Sequence, residues 1–510
     1  MEQPETFRAL GVAEFFYRNR AIAGFTNPTR SVYQTIRELV ENALDATEMH
    51  GIPPDIRVIV KKLQSESDFD LLEITVEDNG IGIPPEHVPR AFCSVLYGSK
   101  YVNRQSRGVF GLGVKMAVLY SQLTTGRPVK VVTSPLGDPA VYEFEMTIDI
   151  KTNTPKVLKK SVSRSNNFQG TKVTLYIEGS WGSAKSRVVE YIKRTAIIAP
   201  YANIYFRYPE DDSYRILRFS RSTTELPPAP REVLPHPYGV DAERLKSMIE
   251  HEEPNKTLLR FITEHFAGVG RVTAAKFLRE SGFGVRRTLR TLKDKDIVRL
   301  ARAMKTWKWK RPGGEGLSPL GEEILKLGIQ EVLKPEFIAT TCRPPSSYEG
   351  YGFIVECGLA WGGAIQPAQT PSIIRFANRI PLLYDENIDV TRKVVDKIDW
   401  STYKVAFPAP LVVVTHVCST KLPFHGLGKE AIADIPELEH EIEMAVRDCA
   451  RRLREHLSRI ERETRHIRRL ITIKKYIPIV ASSLSSILET NSKDIEDSLF
   501  KMLEARRHGG

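Results

Sequence analysis

Apolar and polar positions switch between two periods along the chain, and the switches divide it into segments. From Ser31 to His50 the apolar residues Val32, Ile36, Leu39, Val40, Ala43 and Leu44 recur at steps of three and four. That spacing predicts a helix, with Gly51 suited to its C-terminal cap. The runs 56–63 and 71–78 are strand-like, and the second ends in the turn sequence Asn79-Gly80-Ile81-Gly82. Residues 111–123 and 186–198 read as helices, and 129–134, 141–149, 171–177 and 202–208 as strands. Strands and helices in mixed order predict an α+β layer sandwich to about residue 220.

The stretch 225–239 carries five prolines and reads as a linker. Residues 240–311 are strongly helical, and the breaker RPGGEG at 311–316 closes that unit. Strand-like runs return from 317 to 432, at 352–360, 372–384 and 411–420, with one helix expected at 389–398. From Ile435 onward a largely apolar row recurs at Leu438, Ile442, Val446, Cys449, Leu453, Leu457, Ile460, Thr464, Ile467 and Ile471. The average step of about 3.6 predicts one long amphipathic helix. Pro478 is expected to end it, with a short helix within 481–500. The division expected is an arm (1–30), an α+β sandwich (31–224), the linker (225–239), a basic helical unit (240–311), a second α/β unit (317–434), the long helix (435–477) and a tail (478–510).

Composition narrows the class. The 510 residues allow about two to four domains. At 41% apolar and 27% charged the chain is not intrinsically disordered. No run approaches the ~18 apolar residues of a membrane helix, and Glu2, Glu5 and Glu14 interrupt any signal-peptide layout. Cys93, Cys342, Cys357, Cys418 and Cys449 are scattered, which suits a reducing cytoplasm better than a disulfide framework or a zinc site. The net charge is +12, yet residues 260–311 alone hold 15 Lys or Arg against 4 Asp or Glu. Charge concentrated in one short segment points to a polyanionic partner, although a solvated basic face would look the same.

Four groups carry chemistry. Glu38, Asn42 and Asp45 are spaced to line one helix face. Asp78 ends an apolar strand before Gly80 and Gly82, where a carboxylate could accept from an adenine amino group while bare backbone admits the ring. Gly108, Gly111 and Gly113 form a glycine-rich loop that runs into a helix with Lys115, an arrangement suited to anions. It is neither a Walker loop nor a Rossmann fingerprint, because Gly-Lys-Ser/Thr is absent and a polar segment precedes it. That segment, 98–107, reads as a lid. Finally, Gln169-Gly170-Thr171 opens a strand, where Thr171 could reach adenine directly or through water.

In this order and spacing, the four groups resemble the GHKL ATPase superfamily of gyrase-type topoisomerases, MutL proteins, heat-shock chaperones and histidine kinases, whose nucleotide domain is a Bergerat-type sandwich. The resemblance implies ATP and Mg²⁺ as cofactors. It assigns Glu38 as the base that activates water, Asn42 as the Mg²⁺ ligand, and Asp45, Asp78, Gly80, Gly82, Ser99, Lys100, Gly108, Gly111, Leu112, Gly113, Val114, Lys115 and Thr171 as nucleotide contacts. A base at Glu38 favours hydrolysis over phosphate transfer to His. Lys429, in Gly426-Leu-Gly428-Lys429-Glu430, matches the lysine that a second domain sends to the γ-phosphate in gyrase-type and MutL-type relatives. Arg375 to Tyr384 resembles the transducer domain of the same relatives.

The Gly-Val-Gly270-Arg271 turn resembles helix-two-turn-helix modules that grip nucleic-acid phosphates, whereas Trp307 and Trp309 suit core packing. An ATPase domain, a small basic helical domain, a transducer and a long helix, in that order, resemble the ATPase subunits of archaeal type IIB (topoisomerase VI) enzymes. In gyrase and MutL the transducer follows the ATPase domain directly. The resemblance implies an ATP-dependent dimer with exchanged arms, duplex DNA, and a cutting A subunit in an A2B2 heterotetramer. No metal-binding carboxylate set or outstanding tyrosine marks a cleavage centre in this chain. A MutL-like clamp and a chaperone-type ATPase are the alternative readings.

Overall fold

Asn27 opens the principal helix by accepting a bond from the Arg30 N–H at 2.8 Å, and Pro28 follows where a missing N–H costs nothing. The helix therefore begins earlier than its apolar period does. The computed structural model describes residues 11–65, 69–98, 103–108, 111–164, 168–426, 429–488 and 491–505. They divide into two units, Met1–Ile398 with Phe407–Cys449, and Asp399–Ala406 with Ala450–Gly510.

The first unit begins with α1 (Val12–Arg18) and the principal helix α2 (Pro28–Glu48). There follow β1 (Asp55–Ser65), β2 (Asp70–Glu77), α3 (Val88–Cys93), α4 (Gly113–Thr125), β3 (Val129–Ser134), β4 (Ala140–Asp149), β5 (Thr154–Arg164), β6 (Gly170–Gly179), α5 (Trp181–Ile198), β7 (Asn203–Glu210) and β8 (Ser213–Phe219). The strands form one sheet in the order β5-β4-β3-β6-β2-β1-β7-β8. It is antiparallel except where β1 lies parallel to β7. Helices α2, α4 and α5 pack on one another and on the sheet around Ile36, Val40, Ile74, Leu175 and Ile192. This is the expected α+β sandwich. Both edge strands escape the apolar pattern: β5 is exposed along nearly its whole length, so it has no buried face to alternate against. The same holds for β8.

Four helices follow the proline-rich stretch: α6 (Ala242–Glu250), α7 (Leu258–His265), α8 (Arg271–Glu280) and α9 (Asp294–Thr306). They enclose their own core of Phe261, Phe266, Phe277, Leu300 and Trp309. Trp309 is buried with its ring N–H on the Met304 carbonyl, and Trp307 donates to Glu280 at 2.7 Å, so both tryptophans serve packing. Arg271, Lys276, Arg279, Arg286 and Arg290 are exposed.

The next region holds α10 (Glu322–Leu333), β9 (Phe337–Cys342), β10 (Ser346–Tyr348), β11 (Tyr351–Trp361), β12 (Ser372–Ala377), β13 (Ile380–Leu382), α11 (Val390–Lys397) and β14 (Leu411–Ser419). Its sheet runs β10-β11-β14-β12-β13, with β9 on β11. The run 372–384 is two strands, broken by a tight turn at Asn378 and Arg379, both in left-handed backbone. Helix α10 stands where no element was expected. Its Gly328 weakens the helical signal but permits close packing, since a Cβ there would run into the Ile197 carbonyl of α5.

Helix α12 (Pro436–Leu488) passes through Pro478, the residue expected to end it, and α13 (Ser492–Ala505) follows. Proline removes one backbone bond and crowds the preceding turn, and a helix this long absorbs both. Its apolar row is buried as far as Leu453, but Ile467 and Ile471 are 55% and 61% exposed. Among the described residues no helix is long and apolar enough to cross a membrane. All five cysteines are free thiols.

Candidate nucleotide site

One cavity of about 810 Å³ in the first unit gathers most of the residues singled out above. Helix α2 contributes Glu38, Asn42 and Asp45, the end of β2 leads to Asp78, and the following turn brings Gly82. The glycine loop and the start of α4 add Gly108, Gly111, Leu112, Gly113, Val114 and Lys115. Thr171 comes from β6, and Lys429 from the loop before α12. Gly80 is not in the wall; it backs Asp78, where a Cβ would lie 2.8 Å from the Ala46 carbonyl oxygen. Ser99 and Lys100 lie outside the described residues, as do Val109 and Phe110 of the loop.

Asp78 is fixed by backbone. Its carboxylate accepts from the N–H groups of Gly80 at 2.8 Å and Thr171 at 3.2 Å, and its own N–H donates to the Thr171 carbonyl at 2.9 Å. Burial pushes this carboxyl up to about 7, more strongly than the two N–H bonds pull it down. Gly82 and Gly170 both have positive φ, and a Cβ on either would run into neighbouring backbone, of Ser134 and of Asp78 respectively. Glycine backbone therefore packs closely around one buried carboxyl in the cavity wall.

Across the cavity, Glu38 accepts from Gln34 Nε2 at 2.8 Å. Gly113 faces its carboxylate so closely that any Cβ would collide with it. Glu38 thus sits at the N-terminus of α4, where the unpaired N–H groups favour negative charge. The Lys115 ammonium donates to the carbonyls of Tyr97 at 2.8 Å and Gly111 at 2.7 Å, tying the residue before the 98–107 segment to the glycine loop. Arg104 and Arg37 also line the cavity, and the motif spacing names neither.

A second assembly is invisible to spacing. Arg107, just before Gly108, donates to Asp45 Oδ1 at 2.8 Å and to Glu48 at 2.7 and 2.9 Å. Arg379, in the β12–β13 turn, donates to the same Glu48 at 2.8 Å, and the Tyr201 hydroxyl does so at 2.9 Å. All five side chains are buried. Neighbouring bonds extend the link: the Ser318 N–H donates to Gln105 at 2.7 Å, and Asn378 donates to the Ser106 carbonyl at 3.3 Å. The base of the lid is therefore held between α2 and the second sheet.

Glu356, His416 and Cys418 are buried together and have the chemistry of metal ligands. Their valences are spent otherwise: the His416 Nδ1–H faces Glu356 at 2.7 Å, and Nε2 accepts from the Arg379 N–H at 3.0 Å. Glu356 also accepts from the N–H groups of Leu320 at 2.8 Å and Gly321 at 2.6 Å.

Residues 27–178 match the histidine kinase-, DNA gyrase B- and HSP90-like ATPase family, and residues 312–469 match the topoisomerase VI B subunit transducer. The B subunit of a type 2 DNA topoisomerase 6 from Pyrobaculum aerophilum is 47% identical over 98% of this chain and 94% of its own length. Its counterpart in Metallosphaera sedula is 45% identical over 97% and 93%. Among solved structures, the N-terminal domain of a DNA repair protein covers 85% of this chain and 97% of its own at 12% identity, with a TM-score of 0.43. With near-complete coverage by such relatives, and with the two family matches in the same chain, the protein belongs to the family of B subunits of type 2 DNA topoisomerase 6, the ATPase subunits of type IIB DNA topoisomerases.

Proposed function

We propose that the chain binds ATP in this cavity and hydrolyses it to drive a DNA gate. The observation that carries this reading is the convergence around one cavity of Glu38, Asn42, Asp78, the glycine loop and the sequence-distant Lys429. Asp78 would accept from the adenine amino group, with Thr171 beside it. The N-terminus of α4 and the glycine loop would hold the phosphates. Glu38 would orient and deprotonate the attacking water. Lys429 would meet the γ-phosphate, as would Ser99 and Lys100 if the lid closes over it. Arg104 adds a cation to the same cavity.

Mg²⁺ fits the donor set. Asn42 lines the cavity and carries an amide oxygen, and Mg²⁺ is commonly held by one or two protein oxygens together with substrate phosphates. Asn42 would hold it, and the ion would offset charge on the phosphates during transfer. ATP binding would bring two copies together, exchange the arms at 1–30 and trap a duplex. Release would follow loss of the γ-phosphate contacts.

A second subunit would make the break, in an A2B2 assembly. The exposed apolar residues Ile467, Ile471, Tyr476, Ile479 and Ile487 of the second unit suit a protein partner, and the exposed cations of α6–α9 suit duplex phosphates. Five free thiols accord with a reducing cytoplasm. The repair-clamp and chaperone readings are not favoured, because relatives matched over nearly the whole chain are topoisomerase subunits.

The test is ATP turnover by wild type and Glu38→Ala, with and without duplex DNA, beside dimerisation on a non-hydrolysable analogue. Glu38→Ala should still bind ATP and dimerise on the analogue, while turnover falls by about 10²-fold or more. Unchanged turnover would remove Glu38 from the chemistry.

A further inference from the structure

Lys429 reaches the cavity from a loop whose backbone is held in an uncommon conformation. Its φ is +53°, in the left-handed region that a residue with a side chain adopts only where the surroundings impose it. Those surroundings lie mostly on the residues just after it. The Glu430 side chain is 1% exposed, and its Oε1 accepts from Arg37 Nη1 at 2.7 Å. Arg37 immediately precedes Glu38 on α2, and its Nε also donates to Glu41 at 2.7 Å. The Glu430 carbonyl accepts from Arg375 Nη1 at 3.3 Å, while the same guanidinium nitrogen pairs with Asp389 at 2.8 Å. Asp389 in turn accepts from the Ile432 N–H at 2.8 Å. Three charged side chains from three elements therefore clamp residues 430 and 432.

Packing alone does not require this arrangement. Glu430 Oε2 is buried without a hydrogen-bond partner among the described residues, a costly state for a carboxylate. A buried ion pair is weak evidence of stability, because desolvation offsets most of the attraction, but it fixes geometry strictly. What this pair fixes is the separation between two neighbours, Glu38 beside Arg37 and Lys429 beside Glu430.

The geometry points to Arg37 and Glu430 as a positioning pair, which sets Lys429 against the Glu38-bearing helix so that the ammonium and the base address one phosphate together. Arg37 lines the cavity and Glu430 does not, and both act through their neighbours. The inference rests on Lys429 meeting the γ-phosphate, and its test separates the two claims.

The test is a double-mutant cycle on the full chain, reading kcat and KM for ATP and the thermal unfolding midpoint of each variant. Lys429→Ala alone should lower kcat about tenfold or more; if it does not, the reading of Lys429 fails, and the positioning role falls with it. Glu430→Gln keeps the shape and removes the charge that fixes Arg37. It should lower kcat about tenfold, with KM moved less than about threefold, and should add nothing in the Lys429→Ala background. An equal fall in both backgrounds would mean general disruption and overturn the proposal, as would wild-type kcat in Glu430→Gln. If Glu430→Gln does not fold, Arg37→Lys tests the same claim. It keeps the charge but loses the two-pronged geometry, and the same dependence on Lys429 is expected.

Discussion

The two walls of the nucleotide cavity are built from different materials. On the Asp78 side, position comes from backbone: two N–H bonds, a strand pairing at Thr171, and glycines at 80, 82 and 170 that leave no room for a Cβ. Elsewhere around the cavity, position comes from buried charge: Arg107 and Arg379 on Glu48, and Arg37 on Glu41 and Glu430. Backbone can hold a ligand but cannot easily change state. Buried ion pairs link segments far apart in the chain and can exchange partners when one segment moves. The difference teaches that the Asp78 side is suited to binding and the charged side to transmission.

The largest effect should come from breaking the charged side. Glu48→Ala leaves Arg107 and Arg379 buried with Asp45 as the remaining carboxylate of the group, and removing one member of a buried pair typically costs about 3–5 kcal/mol. The thermal midpoint should fall by several degrees, and DNA stimulation of ATP turnover should fall further than basal turnover. An unchanged midpoint would mean that the cluster is solvated in practice and joins nothing.

How far each side was legible follows from the same contrast. The Asp78 turn, the glycine loop and the face of Glu38, Asn42 and Asp45 are local, because each needs fixed residue types within a few positions and spacing exposes them. The main sheet was legible where strands have one buried face, and β5 and β8 were missed because they have none. The charged side left no spacing signal. Glu48 and Arg379 are 331 positions apart, and Arg37 and Glu430 are 393 apart, so nothing local in either segment anticipates the other. Helix α10 was missed for a related reason, since the contact that explains its Gly328 lies on α5. Pro478 misled in the opposite direction, because a local rule about proline was overridden along a long helix.

A smaller effect should come from disturbing the backbone side. Gly170→Ala places a Cβ against the Asp78 carbonyl at a positive φ, at a cost of about 1–3 kcal/mol. If that strain is relieved by shifting Asp78, ATP affinity measured by fluorescent-nucleotide titration should fall roughly tenfold per 1.4 kcal/mol transmitted. Gly137→Ala is the control. Its φ is also positive, at +83°, but nothing lies within 4 Å of an added Cβ, so it should cost strain without touching affinity. Equal affinity losses in the two variants would show that positive φ alone matters and that the Asp78 side is not rigid.

The smallest expected effect is a single proton. Burial holds the Asp78 carboxyl at about 7, above its ordinary 3.8, so between roughly pH 4 and 7 the folded state carries a proton that the unfolded chain has released. Asp78 therefore contributes less to stability as pH rises through that window, and above about 7 the full cost of a buried charge is present. A donor from adenine favours the ionised form and draws the value down again. Nucleotide binding at pH 6 should therefore release close to one proton more in wild type than in Asp78→Asn, measured by calorimetry in two buffers of different ionisation enthalpy. Phosphate groups of the ligand titrate in the same range, but they contribute equally to both proteins and cancel in the difference. At pH 8 the difference should vanish, because Asp78 is already ionised. Equal release at pH 6 would mean that the carboxyl meets no donor from the base, and the adenine side of the cavity would have to be assigned elsewhere.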